Sequence, residues 1–211
     1  MRESVKARGS GATAGDEPDR AGLSHKERLL RQGTRQFYAN GFSGTTVDAL
    51  LAASGVPKGS FYHHFGSKES FGRAVLERYQ HFQLDLLAAW AAKTELATAD
   101  KLTGYFGAMV DRFVDSGFQR ACLVGKFSTE VAATSEAFRG QLDDDLRIWK
   151  SRLREILAAG QDEGDVRTDR TPDELADTLL ALIQGAFVVA LSTRDAESLR
   201  SVCASIPMLI T

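Results

Sequence analysis

The sequence predicts an all-α protein. Beyond residue 22, large apolar side chains recur at the three- and four-residue spacing of amphipathic helices, and no segment shows strand alternation or an Asn-Gly hairpin turn. Only Pro57, Pro172 and Pro207 interrupt this part of the chain. A chain of 211 residues can bury a sizeable core without disulfides or a structural metal.

The composition is that of an ordinary soluble protein. It has 26 Lys and Arg against 28 Asp and Glu, a formal net charge of −2. Two cysteines, Cys122 and Cys203, are too few for a disulfide framework and suit a reducing cytoplasm. The longest uncharged run, 178–193, is shorter than the roughly 20 apolar residues of a membrane span. No signal-peptide pattern opens the chain. We expect a cytoplasmic protein without a membrane partner.

The charge is divided unevenly along the chain. Residues 1–80 hold 12 Lys and Arg against 8 Asp and Glu, whereas 81–211 hold 14 against 20. A basic N-terminal part on an acidic remainder indicates that one end meets a polyanion, although chance asymmetry gives the same counts. Residues 1–22 contain four glycines and no aromatic side chain, which predicts a disordered arm.

The first two helices have recognisable ends. Ser24 is a suitable N-cap for a helix that continues to Asn40, with Gly41 where a left-handed C-cap residue belongs. Thr45 is the expected cap of a short second helix, which ends at 54–55.

Two further helices follow. Pro57 opens a short one, whose Phe61 and Phe65 share a face. Ser67 caps a long fourth helix that reaches about Ala92.

The remainder predicts a second all-helical unit. One strongly amphipathic helix is expected to end at Gly160, and a capping box with Pro172 at its first position starts a helix that is apolar nearly all round. A last apolar stripe is expected to stop where Pro207 breaks the helix. Two helices, near 172–192 and 195–209, are expected to pack against the same two helices of a second copy and form a four-helix homodimer interface. The expected helix starts are Asp100, Cys122, Ser135, Thr171 and Asp195.

Residues 45–65 have the layout of a helix-turn-helix. A helix of about eight residues, a Gly-containing turn and a second helix set by Pro57 bring two helices together at a steep angle. Phe61 and Phe65 belong to the small core between them. A cation, small residues and hydrogen-bonding or aromatic side chains are left outside, as a DNA groove requires. These outward residues are Lys58, Gly59, Ser60, Tyr62, His63 and His64.

The same region resembles a known family. The motifs GF at 41–42, TTV at 45–47, ASGV at 53–56 and KGSFYHHF at 58–65, followed by SKE at 67–69, are similar to the N-terminal domain of TetR-type one-component transcriptional repressors. The resemblance implies a homodimer that inserts two recognition helices into successive major grooves of a near-palindromic double-stranded operator. It also implies a C-terminal ligand domain whose occupancy changes the distance between those helices.

The resemblance divides the chain into parts. It implies a helix-turn-helix DNA-binding domain at 23–68, a fourth connecting helix at 68–92, and an effector-binding and dimerisation domain at 93–211. Residues 1–22 remain an arm. The resulting fold class is all-α, with an N-terminal three-helix helix-turn-helix domain followed by a C-terminal helical ligand-binding and dimerisation domain.

Individual roles follow from the matched motifs. Thr45 or Thr46 is expected to offer a hydroxyl and a backbone N–H to phosphate, and Lys68 to hold phosphate at the positive end of the fourth helix. The expected groove contacts on the recognition helix are Lys58, Gly59, Ser60, Tyr62 and His63. If about five phosphates are neutralised per subunit, log affinity falls against log salt with a slope near −9 for the dimer. The basic residues behind this expectation are Lys26, Arg28, Arg31, Arg35, Lys58 and Lys68.

The C-terminal part offers one distinctive segment. The run CLVGK at 122–126 resembles a TetR branch that includes repressors answering electrophiles, oxidants and small carboxylates, and in its electrophile-responsive members a cysteine at this position is the switch. A helix start and nearby cations favour a thiolate at Cys122, while burial as a small apolar residue is the open alternative. The run 178–193 has neither Lys nor Arg to place beside it. Candidate effector-pocket residues, which core packing explains equally well, are Phe106, Met109, Phe113, Phe127, Trp149 and Phe187.

Other function classes find little support. No phosphate-binding loop, dinucleotide fingerprint, zinc-protease motif or nucleophile elbow is present, so we expect no enzyme activity, no cofactor and no metal. All four histidines are expected outside the effector cavity. The alternative to a small-molecule- or electrophile-released repressor is a helical protein-interaction module without specific DNA binding.

Overall fold

The computed structural model describes residues 22–211, so the arm expected at 1–22 lies outside it but for Gly22. Every regular element in this described range is an α-helix, as the sequence predicts. In chain order the helices are α1 (His25–Asn40), α2 (Val47–Ser54), α3 (Lys58–Phe65), α4 (Lys68–Ala91), α5 (Thr98–Asp115), α6 (Leu123–Glu130), α7 (Glu136–Glu163), α8 (Pro172–Thr193) and α9 (Glu197–Ile210).

Local capping signals place three helix starts correctly. The Ser24 hydroxyl accepts the backbone N–H of Glu27, and the Ser67 hydroxyl begins α4 in the same way. At α8, Thr171 and Glu174 exchange both bonds of a capping box. Each signal needs only four consecutive residues, which is why the sequence alone reveals it.

The start of α2 differs from the expectation. Thr46, not Thr45, is the N-cap, and its hydroxyl accepts the N–H of Ala49. Thr45 is fully buried, and its hydroxyl donates to the Gly41 carbonyl oxygen at 2.7 Å. Thr45 therefore fastens the loop after α1 from inside.

Two predicted helix ends are wrong. Helix α7 continues past Gly160 and ends at Gly164, which has a φ of 82°. Gly160 is instead a point of close approach, since a Cβ there would lie 2.5 Å from the Val166 side chain. Pro207 does not break α9, which runs to Ile210. A proline this near a helix end removes one hydrogen bond, and the Arg167 N–H holds the last turn by donating to the Ile210 carbonyl.

The core is continuous between the N-terminal helices and the C-terminal bundle. Phe37, Phe61 and Phe71 are fully buried among α1, α3 and α4. At the junction with the bundle, Phe127 of α6 lies edge-on to Phe37, with ring centroids 5.3 Å apart. The aromatic contacts join the two halves by burial of apolar surface.

The last two long helices leave apolar side chains uncovered. Helix α8 is the one helix within residues 22–211 that is long and apolar enough to cross a membrane by length and composition, and 44% of its most apolar window is buried. Its counterpart α9 packs beside it and exposes Met208. The exposed apolar side chains of α8 are Leu182, Val188, Val189 and Leu191. Such a surface is typical of a subunit interface.

An unpaired carboxyl group is buried between α4 and α7. Asp145 is 7% exposed, and its Oδ2 atom has no hydrogen-bond partner among the described residues. Burial, followed by the neighbouring Asp144 and Glu77 carboxylates, raises the pKa of Asp145 to about 7, while His81 acts in the opposite direction.

We predict that Asp145 lowers the stability of the folded protein as the pH rises. Between about pH 4 and pH 7 the folded protein retains a proton that the unfolded chain releases, so the free energy of unfolding decreases through this window and levels above it. Asp145→Asn should remove this component and stabilise the protein at pH 8 by about 1–3 kcal/mol. Urea unfolding at pH 5 and pH 8 measures both effects.

The matched control is Asp143→Asn. Asp143 is exposed and paired with Arg147, and the carboxylates that raise the pKa of Asp145 are those of Asp144 and Glu77, so this substitution should leave the pH dependence unchanged. An unaltered pH dependence in Asp145→Asn contradicts the assignment.

Candidate nucleic-acid interface and regulatory cavity

Helices α2 and α3 form the predicted helix-turn-helix. Gly55 ends α2 in a left-handed conformation, with φ 63° and ψ 31°, which a side chain would strain. The turn then passes through Pro57, the N-cap of α3. Phe61 and Phe65 anchor α3 from its inner side, because both rings are buried. This anchoring fixes which face of α3 points outward.

The outer face of α3 carries the predicted polar set. Lys58 has 65% of its side chain exposed, Tyr62 is 46% exposed, and His63 is exposed beside them. Gly59 has open space where a Cβ would stand. Ser60 is half-buried. The face offers a cation, a phenol and an imidazole together, although the Tyr62 ring contacts the buried Phe61 ring and the Lys58 ammonium lies 3.7 Å from the Asp48 carboxylate.

His25 is a neighbour of this face that sequence reasoning missed. Its Nδ1 atom lies 3.0 Å from the Ser60 hydroxyl oxygen, across 35 residues of chain. His25 is exposed at the start of α1. No local pattern could indicate this pairing, since the packing of α1 against α3 creates it.

The residues expected to contact phosphate at the starts of α2 and α4 lie in different environments. Thr46 is exposed at the start of α2, whereas Thr45 is buried and offers no hydroxyl to a ligand. The Lys68 ammonium lies 4.5 Å from the Phe42 ring centroid, and burial lowers its pKa despite the nearby Glu130. Of the three, Thr46 alone is exposed, and its hydroxyl already accepts the N–H of Ala49.

Arginines counted toward phosphate binding also have structural partners. The Arg28 guanidinium donates to the carbonyl oxygens of Ser54 at 2.6 Å and Gly55 at 3.2 Å, closing the end of α2. Arg31 is paired with Glu27 at 2.9 Å. Because these two cations are engaged within the protein, we expect a salt dependence shallower than a slope of −9.

Helix α6 is fastened to the helix-turn-helix domain at its far end. The Glu130 carboxylate accepts the backbone N–H groups of Phe42 at 2.9 Å and Ser43 at 2.7 Å. Burial raises the pKa of Glu130, but these donors prevail and lower it below its ordinary value. Gly41 permits the approach, because a Cβ there would lie 2.6 Å from the carboxylate.

A second bond joins α6 to α1. The Lys126 ammonium donates to the Tyr38 carbonyl oxygen at 2.7 Å, near the C-terminal end of α1. Cations are favoured at this end of a helix. The two attachments, from Glu130 and Lys126, lie on one short helix whose N-cap is Cys122.

Cys122 is 3% exposed and lies within the core, near the side chains of Tyr38 and Tyr79. The Gln184 side-chain amide of α8 donates to its sulfur at 3.1 Å. Gln184 belongs to the run 178–193, which has neither Lys nor Arg, so this run places a neutral amide and not a cation beside the thiol. Burial, and next the nearby Cys122, raise the pKa of Tyr79 well above its ordinary value, so Tyr79 is a neutral phenol at pH 7.

A cavity of about 610 Å³ lies between α1, α4, α5 and α8. Arg35 and Tyr38 line it from α1, Arg112 from α5 and Phe187 from α8. It reaches the loop before α6 at Ala121, next to Cys122. The cavity therefore touches the DNA-binding half, the bundle and the approach to the cysteine.

Only part of the predicted pocket set lines this cavity. Met109 and Phe187 do. The other aromatic candidates are at most 1% exposed and pack in the core. The sequence could not separate the two cases, because aromatic residues have the same helical spacing in a core and in a cavity wall. These core residues are Phe106, Phe113, Phe127 and Trp149. The expectation that all histidines lie outside the cavity is also wrong, since His81 lines it.

Both halves of the chain match known families. Residues 29–75 match the family described as bacterial regulatory proteins, tetR family, and 98–206 match the tetracyclin repressor-like C-terminal domain. The transcriptional repressor DhaR of Mycobacterium sp. (strain GP1) is 37% identical over 177 residues, which cover 82% of this chain and 86% of DhaR. The repressor NemR of Escherichia coli K12 is 32% identical over 185 residues, covering 88% and 93%.

The chain belongs to the TetR family. It is a DNA-binding transcriptional repressor of this type, and the interaction-module alternative is not supported. Repressors of the family bind operator DNA as dimers and respond to effectors. The relatives are transcriptional regulators, a class not known for enzyme activity.

Solved structures agree with this TetR assignment. The reduced form of E. coli NemR superposes with a TM-score of 0.82 at 32% identity, covering 89% of this chain and 97% of NemR. A cysteine mutant of the TetR regulator CifR, bound to a 26-base-pair double-stranded operator, has a TM-score of 0.75 at 25% identity, with coverage of 92% and 100%. The all-α, two-domain fold class is thereby confirmed.

Proposed function

We propose that α3 is the recognition helix of this repressor and that its outer face reads the major groove. Lys58, Tyr62 and His63 project from it, and Gly59 allows close approach to the duplex. Ser60, held by His25, contributes a hydroxyl at the start of the helix. Thr46 offers phosphate contacts at the start of α2. Burial of Phe61 and Phe65 supports this orientation.

We infer that two copies associate through α8 and α9. These helices correspond to the predicted interface at 172–192 and 195–209, and their exposed apolar side chains need cover in water. A twofold axis there presents two α3 helices to a palindromic operator. The division into a DNA-binding domain at 23–68, a connecting helix and an effector-binding and dimerisation domain follows this arrangement. We place the repressor in the cytoplasm with its operator.

We further propose that modification of Cys122 by an electrophile releases the operator. Cys122 is the N-cap of the helix whose other end holds the DNA-binding half. That placement is the observation on which the proposal rests. Support also comes from the relatives: the NemR structure is that of a reduced form, and the CifR complex is a cysteine mutant.

The chemistry is addition of sulfur to an activated double bond. The Cys122 thiolate forms a C–S bond with the β-carbon of an α,β-unsaturated carbonyl compound, the π electrons move to the carbonyl oxygen as an enolate, and the enolate takes a proton from water. The reagent reaches the thiol from the neighbouring cavity, which ends at Ala121.

An adduct at Cys122 meets close neighbours on the side that faces α8. Its sulfur is in contact with the Gln184 amide, and a Cβ on Gly125 of α6 would already lie 2.6 Å from Gln184 Oε1. Because these side chains are closely packed, we propose that the added atoms displace Gln184 or the start of α6. A shift of α6 moves Glu130 and Lys126, and these carry the displacement to the loop after α1.

We predict that Tyr62→Ala or Lys58→Ala weakens specific operator binding by at least about tenfold. Both side chains are exposed, so the melting temperature should stay close to that of the wild type. Fluorescence anisotropy with operator DNA at several salt concentrations measures the loss, and Lys58→Ala should also flatten the salt dependence.

The matched control for DNA binding is Arg152→Ala. Arg152 is an exposed cation of α7 paired with Glu155, remote from α3. Its loss should leave operator affinity unchanged. Equal effects of Arg152→Ala and Lys58→Ala would show that only overall charge matters.

We predict that N-ethylmaleimide lowers operator affinity about 10- to 100-fold and that Cys122→Ser is insensitive to it. Cys203→Ser is the matched control and should respond like the wild type. Burial, and then Asp111, raise the pKa of Cys203 to about 11, so this thiol reacts slowly near pH 7. Undiminished release in Cys122→Ser places the sensor elsewhere.

A further inference from the structure

The first turn of α3 has polar partners on two other helices. Its N-cap, Pro57, makes no side-chain capping bond. The Ser60 hydroxyl oxygen lies 3.0 Å from Nδ1 of His25 at the start of α1, and the Lys58 ammonium lies 3.7 Å from Oδ1 of Asp48 on α2. Each of the two polar side chains in this turn therefore has a neighbour that does not belong to α3.

Asp48 is an acidic residue on a surface that is otherwise suited to DNA. Its side chain is 84% exposed, two residues beyond Thr46, the N-cap of α2. The one other acidic residue in the sequence of 23–68 is Glu27, which is paired with arginines of α1 and α4. A carboxylate is repelled by phosphates, so Asp48 lowers the affinity for duplexes of any sequence. It favours a duplex that offers it a hydrogen-bond donor.

Lys58 and Asp48 place a donor and an acceptor side by side. The ammonium carries three N–H donors and no acceptor, whereas an ionised carboxylate only accepts. Both side chains are largely exposed, and an exposed pair of this kind is weak. The two groups can therefore exchange this contact for contacts with base edges at little cost.

The major-groove edge of a G·C pair has the complementary pattern. Guanine presents two neighbouring acceptors, N7 and O6, and cytosine presents the N4 amino donor next to O6. Lysine commonly donates to the guanine pair of acceptors, and aspartate accepts from cytosine N4. An A·T pair in the same orientation presents acceptor, donor and acceptor, so its last two groups oppose an ammonium followed by a carboxylate.

We infer that Asp48 is a specificity-determining residue and that, together with Lys58, it recognises a G·C pair in each half of the operator. The ammonium donates to N7 and O6 of guanine, and the carboxylate accepts from N4 of the paired cytosine. Asp48 also penalises other sequences, since there its charge meets no donor. This inference rests on the proposed DNA-facing orientation of α3, and it adds a residue of α2 to the base-reading surface.

The test begins with the operator that the wild-type full chain selects from double-stranded DNA with a randomised centre. We expect a near-palindrome that contains the same G·C pair in both halves. Replacing these two pairs by A·T should lower the wild-type affinity at least about tenfold, as the loss of specific base contacts requires. Fluorescence anisotropy with the two duplexes measures this ratio.

Asp48→Asn keeps the shape of the side chain and removes its charge. This variant should bring the ratio between the G·C and A·T duplexes close to one and should bind a random-sequence duplex more tightly than the wild type does. Its melting temperature should change little, because the side chain is exposed. Asp143→Asn, which alters an exposed acid of α7 paired with Arg147, should keep both wild-type values.

Two results overturn the inference. One is an Asp48→Asn protein that discriminates between the two duplexes as strongly as the wild type. The other is a selected operator that has no G·C pair common to its two halves. Failure of the proposed orientation of α3 gives a different result, because Lys58→Ala then leaves operator affinity unchanged.

Discussion

The attachment of α6 to the loop after α1 is the constraint on which the relation between the two halves depends. Glu130 binds two backbone N–H groups of that loop, Lys126 binds a carbonyl at the end of α1, and Phe127 between them joins the shared aromatic core. A helix of eight residues is thus held by contacts of three of its side chains. It cannot shift at its cysteine end without straining contacts at the other.

Buried contacts also orient the outer face of α3, which is the proposed DNA-facing surface. Phe61 and Phe65 occupy the inner side of α3 so fully that Lys58 and Tyr62 remain outside. Arg28 closes the end of α2 and so fixes the turn between the two helices. The inner packing determines how the outer face is aimed, and the exposed residues are therefore free to serve binding.

Sequence reasoning succeeded where a structure depends on neighbouring residues. Ser24, Ser67 and the Thr171 capping box act within one turn, and the spacing of Phe61 and Phe65 assigns the faces of α3. It failed where tertiary contacts decide. Pro207 lies inside a helix, and Thr45 turns inward.

The candidate site shows the same division. The exposed residues of α3 could be selected because they complement the apolar ones on a single helix. The bond between Glu130 and Phe42 spans 88 residues, and the one between Gln184 and Cys122 spans 62, so neither leaves a local pattern. Aromatic residues of the bundle could not be sorted into wall and core, because both positions demand apolar side chains at helical spacing.

In the proposed mechanism, α6 carries the state of Cys122 to the DNA-binding half through Glu130. This coupling is measured by the ratio of operator affinities before and after N-ethylmaleimide treatment in the wild type, in Glu130→Ala and in Glu155→Ala, an exposed acid of α7. We expect a large ratio in the wild type and in Glu155→Ala, and a ratio near one in a Glu130→Ala protein that still binds operator. A Glu130→Ala variant that keeps the full wild-type ratio would show that Glu130 does not carry the signal.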